Sequence, residues 1–187
     1  MSTRSDFYLD IPRAPRLSRL LIFIKWLLIL PHSLILYVFS FLAGVVGFVA
    51  WFAILFTGTY PQGMWDFVYQ YMRWSVRVSA YTSLLRDEYP PFSEAPYPVD
   101  FSLTRPEKQS RLLLFVRWVS VIPLAFWLML VGIAAGFALL AAWFCILFTG
   151  NIPESIREFI VGFLRYGLRV QCYLSLLTDA WPGFSLE

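Results

Sequence analysis

The stretch Ile54-Leu55-Phe56-Thr57-Gly58 recurs as Ile146-Leu147-Phe148-Thr149-Gly150, 92 residues further along the 187-residue chain. Shifting the sequence by the same 92 residues aligns it on itself without a gap from Ser18 onward. Shared hydrophobicity alone would not place Trp, Pro, Gly and Arg in register, so the match indicates two copies of one structural unit. Further matched pairs are Trp26 and Trp118, Pro31 and Pro123, Gly44 and Gly136, Arg73 and Arg165, Arg77 and Arg169, and Asp87 and Asp179.

A long apolar stretch precedes each copy of this motif. No Asp, Glu, Lys or Arg occurs between Lys25 and Asp66 or between Arg117 and Glu154. Each gap is far longer than the roughly 20 apolar residues that a membrane-spanning helix needs. A soluble core helix needs no such stretch, because one of its faces meets water. The sequence therefore predicts an all-α integral membrane protein built from two tandem direct repeats.

The repeat defines the predicted boundaries along the chain. These are 1–92 for the first unit (membrane segment 19–57, amphipathic helix 62–86), 93–109 for a Pro-rich linker, and 110–187 for the second unit (membrane segment 111–149, amphipathic helix 153–178). Within the linker, Val99 to Leu103 alternates apolar and polar residues, which favours a short strand. We expect Phe7 to Ile11 to be its counterpart, with altered spacing.

The membrane segment of each unit has two interpretations. As one straight helix, Arg19 to Phe56 would be about 57 Å long at 1.5 Å per residue, nearly twice the roughly 30 Å hydrocarbon thickness of a bilayer. In the favoured interpretation, each segment is a re-entering hairpin that turns near Gly44 or Gly136 and keeps both ends on one side. In the other, the residues before Pro31 lie at the interface and only the rest cross, which inverts the second unit.

Basic residues lead into each apolar stretch and set the expected orientation. They are Arg13, Arg16, Arg19 and Lys25 before the first, and Arg105, Lys108, Arg111 and Arg117 before the second, in a chain of net charge +3. Next to apolar stretches, such clusters indicate the positive-inside rule rather than nucleic-acid binding. Matched lead-ins favour the hairpin, because it keeps both of them on the same side. We expect a multi-pass protein with its termini and linker in the cytoplasm, and no nucleic-acid partner.

The helix after each Leu-Phe-Thr-Gly motif carries the candidate site. At 100° per residue, one polar stripe is formed by Asp66, Gln70, Arg73 and Arg77, and its second copy by Glu158, Arg165 and Arg169. Apolar and aromatic residues cover much of the remaining circumference, as suits a helix in the interfacial zone of a membrane. The candidate residues for binding lipid or a partner are Arg73, Arg77, Arg165 and Arg169, since a guanidinium group holds phosphate with a bidentate fork.

Two alternatives to lipid binding stay open for these arginines. In the first, the arginines snorkel or cap neighbouring backbone groups and bind nothing specific. In the second, they pair with acidic groups, either Asp87 and Asp179 or the acidic groups of a partner chain.

Three features together resemble a known bacterial family: Leu55-Phe56-Thr57-Gly58, the helix after it, and the turn Asp87-Glu88-Tyr89-Pro90-Pro91-Phe92. The family consists of small inner-membrane proteins catalogued as a domain of unknown function, number four-three-eight-nine. The second copy repeats the pattern with Asp179-Ala180-Trp181-Pro182-Gly183-Phe184, where Ala and Gly replace the Glu and second Pro of the first. The resemblance covers nearly the whole chain. It implies the bacterial inner membrane and implies no activity.

Residues suited to catalysis or cofactor binding are sparse. His32 is the only histidine, and the second copy has Leu124 in its place. A closed metal site needs several ligands, so we expect His32 to make a local hydrogen bond rather than to ligate a haem or pigment. Cys145 and Cys172 are expected to be packing residues. No nucleophile elbow, phosphate loop or paired carboxylate occurs, and the sequence predicts no enzyme, no cofactor and no metal site.

These observations rank the candidate functions. We expect first a non-catalytic membrane scaffold or accessory subunit, bound to membrane lipids and to a protein partner in a larger membrane complex. The alternative is an anionic-lipid-binding or membrane-shaping protein that uses the paired arginine stripes. A pore or transporter ranks third, because the apolar stretches offer few polar groups at membrane depth.

Overall fold

The structure, a computed structural model, describes residues 7–93 and 95–186. Its elements in chain order are β1 (Tyr8–Asp10), α1 (Leu21–Leu28), α2 (Leu30–Thr57), α3 (Gln62–Thr82), β2 (Asp100–Ser102), α4 (Arg111–Thr149) and α5 (Glu154–Leu174). A short strand, a long apolar helical segment and a shorter helix therefore occur twice in the same order. The prediction of two tandem, mostly helical repeats is confirmed.

The apolar segment of each unit is a long helix, and the favoured hairpin is wrong. α4 continues from Arg111 to Thr149 with Pro123 inside it. In the first unit Ile29 alone separates α1 from α2, and its φ of −83° and ψ of −12° are still helical. The expected turn at Gly44 does not occur. A single glycine lowers helix stability by only about 1 kcal/mol, so Gly44 does not by itself end a helix of this length.

Pro31 follows the interruption at Ile29, which has no counterpart beside the equivalent Pro123 of α4. Pro31 occupies the first turn of α2, where a missing backbone N–H is tolerated because no residue of the helix would have accepted its hydrogen bond. The Tyr89 hydroxyl donates to the carbonyl oxygen of Leu28 at 3.1 Å. The turn after α3 thereby stabilises the junction between α1 and α2.

The Leu-Phe-Thr-Gly motif ends both long helices. Gly58 and Gly150 adopt left-handed backbone conformations, with φ of 74° and 76°, and such C-terminal positions favour glycine. The Thr57 hydroxyl donates to the carbonyl oxygen of Ala53 at 2.7 Å. It also accepts a hydrogen bond from the Thr59 amide at 3.2 Å. The motif is thus a stop signal for the helix rather than a binding site.

We expect Gly58→Ala and Gly150→Ala each to lower the free energy of unfolding by about 1–2 kcal/mol, because a Cβ is disfavoured at positive φ. The matched controls are Gly44→Ala and Gly136→Ala, whose added Cβ atoms would meet nothing within 4 Å. In a regular helix this change stabilises by about 0.4–1 kcal/mol. Thermal unfolding in mild detergent measures both. Equal destabilisation of all four variants would contradict the assigned role of the motif.

The two shorter helices pack antiparallel against the long helix of their own unit. In the second unit, the Tyr173 hydroxyl lies 3.4 Å from the Ser120 hydroxyl near the start of α4. Phe163 lies further along α4, where a Cβ added at Gly132 would be 3.7 Å from its ring. In the first unit, Val78 and Tyr81 pack with Ile29. Residues near the end of each shorter helix thus contact the early part of the long segment, as an antiparallel arrangement requires.

The shorter helices end four residues earlier than predicted, at Thr82 and Leu174. Leu84 and Leu176 take left-handed conformations with φ of 62° and 64°. The amides that follow them fold back onto the helix ends, for example Leu85 N to the carbonyl oxygen of Ala80 at 3.1 Å. This closing hydrogen bond satisfies a free carbonyl group of the last turn.

The two short strands form an antiparallel ribbon that joins the units. Leu9 pairs with Phe101, and both side chains are buried. Asp10 pairs with Asp100, and both are exposed. The strand predicted within the linker is confirmed. The altered spacing expected for its counterpart is wrong, because Leu9 and Phe101 are themselves 92 residues apart.

Each unit also donates its lead-in segment to the other. The Leu17 amide donates to the carbonyl oxygen of Gly150 at 3.0 Å, and the Gln109 amide donates to that of Gly58 at 2.9 Å. The two hydrogen bonds are images of each other under the 92-residue shift. The start of each unit is thus fixed to the end of the long helix in the other.

Aromatic contacts show that the two long helical segments run antiparallel. Phe23, near the start of α1, contacts Trp143 near the end of α4, with ring centroids 5.3 Å apart. Trp51 and Phe115 make the equivalent contact at 5.6 Å. The two units are therefore related by a pseudo-twofold axis perpendicular to the long helices. Rotation about this axis exchanges the units and reverses the helix direction. The central pair of the ribbon, Leu9 with Phe101, joins equivalent residues, so the ribbon lies on this axis.

Most of the exposed large hydrophobic side chains in the described residues lie on the long helices. Examples are Phe41 at 69%, Phe56 at 74% and Phe137 at 71% exposure. The segments Leu21–Thr57 and Arg111–Thr149 are long and apolar enough to cross a membrane. This surface is the main feature of the fold that requires a functional explanation.

Candidate functional site

Each unit contains one buried cation paired with an aspartate. Lys25 and Arg117 are buried, with 3% and 5% exposure. Lys25 Nζ lies 2.8 Å from Asp87 Oδ1, and Arg117 Nη2 lies 2.6 Å from Asp179 Oδ1. Both members of each pair match under the 92-residue shift. The structure therefore contains the same ion pair twice, and we refer to the two copies as the buried pairs.

The buried cations also cap the shorter helices. Lys25 Nζ donates to the carbonyl oxygen of Tyr81, in the last turn of α3, at 3.4 Å and to that of Arg86 at 2.6 Å. It also lies 4.7 Å from the centroid of the Tyr81 ring. A cation is favourable at a helix C-terminus, where the last carbonyl groups lack helical partners. In the second unit Arg117 donates to the carbonyl oxygens of Tyr173 and Thr178 and lies over the Tyr173 ring.

The aspartates of the buried pairs bind the start of each long segment. Asp87 Oδ2 accepts a hydrogen bond from the Ser18 amide at 2.5 Å, and Asp179 Oδ2 accepts one from the Ser110 amide at 2.7 Å. One carboxylate thus links the lead-in, the long segment and the end of the shorter helix. The arrangement is structural, because the charges are used to hold elements of the same unit together.

The sequence interpretation missed the partners of these aspartates. It left open that Asp87 and Asp179 pair with the arginine stripes, and the structure pairs them with Lys25 and Arg117 instead. A usable signal was present, since Lys25 and Arg117 match under the repeat and each is the last charge before an apolar stretch. A charge that is carried into an apolar segment needs a partner.

Two of the four candidate arginines hold the chain segments that follow their helices. Arg77 Nη1 donates to the carbonyl oxygen of Ala95 at 3.2 Å, and its guanidinium carbon lies 5.8 Å from the centroid of the Tyr97 ring. Arg169 Nη2 donates to the carbonyl oxygen of Ser185 at 2.5 Å. Capping of neighbouring backbone, one of the alternatives left open by the sequence, is therefore observed at both positions.

The other two candidate arginines, Arg73 and Arg165, are partly exposed. Arg73 Nη1 lies 3.4 Å from the side-chain oxygen of Gln70. Arg165 and Arg169 line a cavity of about 480 Å³ that β1 and Trp181 also border. The structure thus brings each pair of arginines together on one helix face, as the spacing predicted.

The electrostatics of Arg165 and Arg169 suit the binding of an anion. Burial lowers the pKa of the Arg169 guanidinium group, and repulsion from Arg165 lowers it further. An anion placed between them would relieve this repulsion and favour the charged form of both groups. Phosphate and carboxylate are the groups that two neighbouring guanidinium groups bind.

A comparison with protein families identifies the repeat. The sequence profile of a family described as "Domain of unknown function (DUF4389)" matches the chain twice, over residues 19–94 and 111–185. The chain belongs to this family. Neither curated proteins nor solved structures gave a match. The family resemblance expected from the sequence is confirmed, with two copies.

The DUF4389 repeat contains most of the features described above, whereas the ribbon and the lead-in residues Leu17, Ser18, Gln109 and Ser110 lie outside it. Both buried pairs and all four candidate arginines lie within the matched ranges, whereas Tyr8–Asp10 and Asp100–Ser102 lie outside them. The structure therefore divides the chain into two DUF4389 units and the strands that join them.

His32 belongs to the first DUF4389 unit and packs as an aromatic residue. Its ring stacks on that of Phe92, with centroids 3.9 Å apart and planes 10° apart, and contacts Trp74 edge-on. Leu124, at the same place in the second unit, is also completely buried. A leucine at the equivalent position favours packing as the role of His32. Across residues 7–93 and 95–186, no group of three or more His, Cys, Asp or Glu side chains is placed to hold a metal ion.

The two cysteines of the chain differ in environment. Cys172 is completely buried in α5, in agreement with the predicted packing role. Burial raises the pKa of its thiol to about 12. Because only the thiolate is a strong nucleophile, Cys172 stays unreactive near neutral pH. Cys145 lies in α4 and is half-buried.

Proposed function

We propose that the protein is a non-catalytic scaffold or accessory subunit embedded in the bacterial inner membrane. The apolar surface of the two long segments carries this proposal. It runs along both helices, with Phe48 at 67% and Phe126 at 58% exposure. Contiguous apolar surfaces of this extent mark membrane or protein interfaces.

The use of charge inside the protein supports a scaffolding role. Lys25 and Arg117 hold helices together through the buried pairs, and Arg86 binds Glu88 and the carbonyl oxygen of Pro12. These buried cations are thus engaged in positioning backbone segments. Such a fold presents a fixed apolar face to lipids and to the helices of a partner.

Anionic-lipid binding by the arginine stripes is the second candidate function. The juxtaposition of Arg165 and Arg169 at one cavity favours it. Each basic residue near an anionic surface contributes about 1 kcal/mol of attraction, which salt weakens. A lipid phosphate held at the stripes would also fix the height of α3 and α5 relative to the headgroups.

Extraction in mild detergent separates the two candidates. A protein partner that co-purifies in fixed stoichiometry would support the scaffold, whereas retained anionic lipid would support lipid binding. The inner-membrane location, the multi-pass arrangement and the cytoplasmic termini stay predictions. For the termini, residues 1–6 and 187 lie outside the described residues.

We expect the double variant Arg73→Gln and Arg165→Gln to bind anionic vesicles roughly 30-fold more weakly than the native protein at low salt, from about 1 kcal/mol per lost charge. These arginines are chosen because Arg77 and Arg169 also hold backbone segments. The control, Arg73→Lys with Arg165→Lys, keeps the charge but loses the bidentate fork. Unchanged lipid binding by the Gln variant would mean that the stripes are solvated faces.

A further inference from the structure

The antiparallel arrangement of the long helices decides how the protein sits in a membrane. We propose that α1–α2 and α4 lie along the plane of the membrane within one leaflet, with the pseudo-twofold axis along the membrane normal. The apolar surface then contacts the hydrocarbon of a single leaflet. This inference rests on the proposed membrane function and is an alternative to the predicted multi-pass arrangement.

The position of the ribbon argues against helices that span the bilayer. The pseudo-twofold axis is perpendicular to the long helices and passes through the pair of Leu9 and Phe101. If the helices ran along the membrane normal, every point on this axis would lie at mid-depth. The exposed side chains of Asp10 and Asp100 would then face the bilayer centre. Carboxylates there are costly and rare, whereas the in-plane arrangement leaves them in water.

The basic lead-ins give a second, independent reason. Arg16 and Lys108 are equivalent, and both are exposed. In a spanning arrangement, antiparallel helices would place them on opposite sides of the membrane. A rotation about the membrane normal keeps them on the same side, as the positive-inside tendency favours. The in-plane arrangement therefore keeps both basic lead-ins on one side of the membrane, as the hairpin would have done.

Helix length is the third reason. The 39 residues of α4 extend about 58 Å at 1.5 Å per residue, nearly twice the roughly 30 Å of bilayer hydrocarbon. Large apolar side chains are exposed close to both ends, at Leu112 and Phe148. To keep both ends in hydrocarbon, a spanning helix would have to tilt by about 60°, beyond the roughly 0–40° usual for membrane helices. A helix within the leaflet keeps its entire length in hydrocarbon without this.

The distribution of exposed side chains favours lipid over a second copy of the chain as the occupant. At 100° per residue, the exposed positions from Ser40 through Phe41 to Leu42 span roughly 200° of the circumference of α2. One protein partner covers a single helix face, whereas fluid acyl chains surround the whole exposed arc. We therefore infer that the acyl chains of one leaflet cover the exposed surface of the long helices.

Spin labels along one helix test the proposal by their depth in the membrane. Cysteines are placed singly at Leu34, Phe41, Phe48 and Phe56, after Cys145→Ser and Cys172→Ala, in the full-length protein reconstituted into vesicles containing anionic lipid. The depth of each label follows from comparing how strongly oxygen and a water-soluble nickel complex relax its spin. The equivalent positions on α4 are Phe126, Ile133, Leu140 and Phe148.

In-plane helices should give equal depths, within about 5 Å, at every position, because an interfacial helix buries its apolar face to a nearly constant depth of about 5–10 Å. Phe41 and Phe56 are about 22 Å apart along a helix. If α2 spanned, tilted enough to fit 30 Å of hydrocarbon, their depths would still differ by about 12 Å. A profile that deepens toward the middle of the helix would overturn the proposal.

A second measurement uses sidedness. Arg16→Cys and Lys108→Cys, each alone in the same background, should both react with an impermeant maleimide from the same side of inner-membrane vesicles. Reaction from opposite sides would overturn the in-plane arrangement. Labels shielded from oxygen along the whole helix, together with a cross-linked dimer, would show that a second copy covers the surface and would also overturn it. A protein that fails to float with vesicles would instead refute the proposed membrane function.

Discussion

Asp87→Ala and Asp179→Ala should each lower the free energy of unfolding by about 3–5 kcal/mol, because each leaves a buried cation without its counter-ion. Lys25 and Arg117 have side chains only 4% and 5% exposed. Chemical or thermal unfolding in mild detergent measures the effect.

The chain itself offers the matched controls. Lys25→Arg and Arg117→Lys exchange the residues that the two units use at the same position. Each keeps a cation beside the aspartate, so each should cost less than the corresponding aspartate variant. Glu154→Ala removes a carboxylate that is 45% exposed and pairs with Arg13, itself 54% exposed, and should have a small effect. If the aspartate variants unfold like these controls, the buried pairs do not hold the helices together.

The buried pairs also show how far the sequence determines the candidate site. The repeat identified Asp87 and Asp179 as equivalent, and the helical period placed the arginines on one face. Both statements follow from local spacing alone. Which cation an aspartate contacts depends on where α3 ends relative to α1, and this follows from the left-handed Leu84, whose conformation no sequence rule predicts.

Phe101→Ala should destabilise the protein by about 3–5 kcal/mol, the usual cost of removing a buried aromatic side chain. Phe101 is 2% exposed, and its ring lies 5.6 Å from that of Phe7 and 5.5 Å from that of Tyr69. Its strand connects the units, so the loss also weakens the contact between them. We expect a lower unfolding temperature and faster proteolysis in the linker.

Tyr8→Ala is the control for the ribbon, since Tyr8 is on the same strand pair but 54% exposed. Surface changes of this kind usually alter stability by less than about 0.5 kcal/mol. Equal stability of the two variants would show that the ribbon merely accompanies the packing of α3 and α5. A loss confined to Phe101→Ala would establish that the ribbon holds the two units together.

The exchange between units marks the limit of prediction for the fold. The 92-residue match predicted two like units and their elements, because similar local sequences form similar local structure. It did not predict that the Leu17 and Gln109 amides bind the opposite unit. Within a repeated sequence, Gly58 and Gly150 present the same surroundings to a lead-in, so local pattern does not distinguish a contact within a unit from one between units.

The self-equivalent pairing of Leu9 with Phe101 has a consequence for the origin of the chain. A polypeptide with one such unit and its strand would satisfy all of these exchanged contacts by binding an identical molecule, as isologous dimers do. Gene duplication and fusion then convert the homodimer into a single chain without altering an interface. Once fused, the halves diverge separately, and His32 opposite Leu124 is one such difference. Fusion thus allows one half to acquire a specialised surface while the other keeps the ancestral packing.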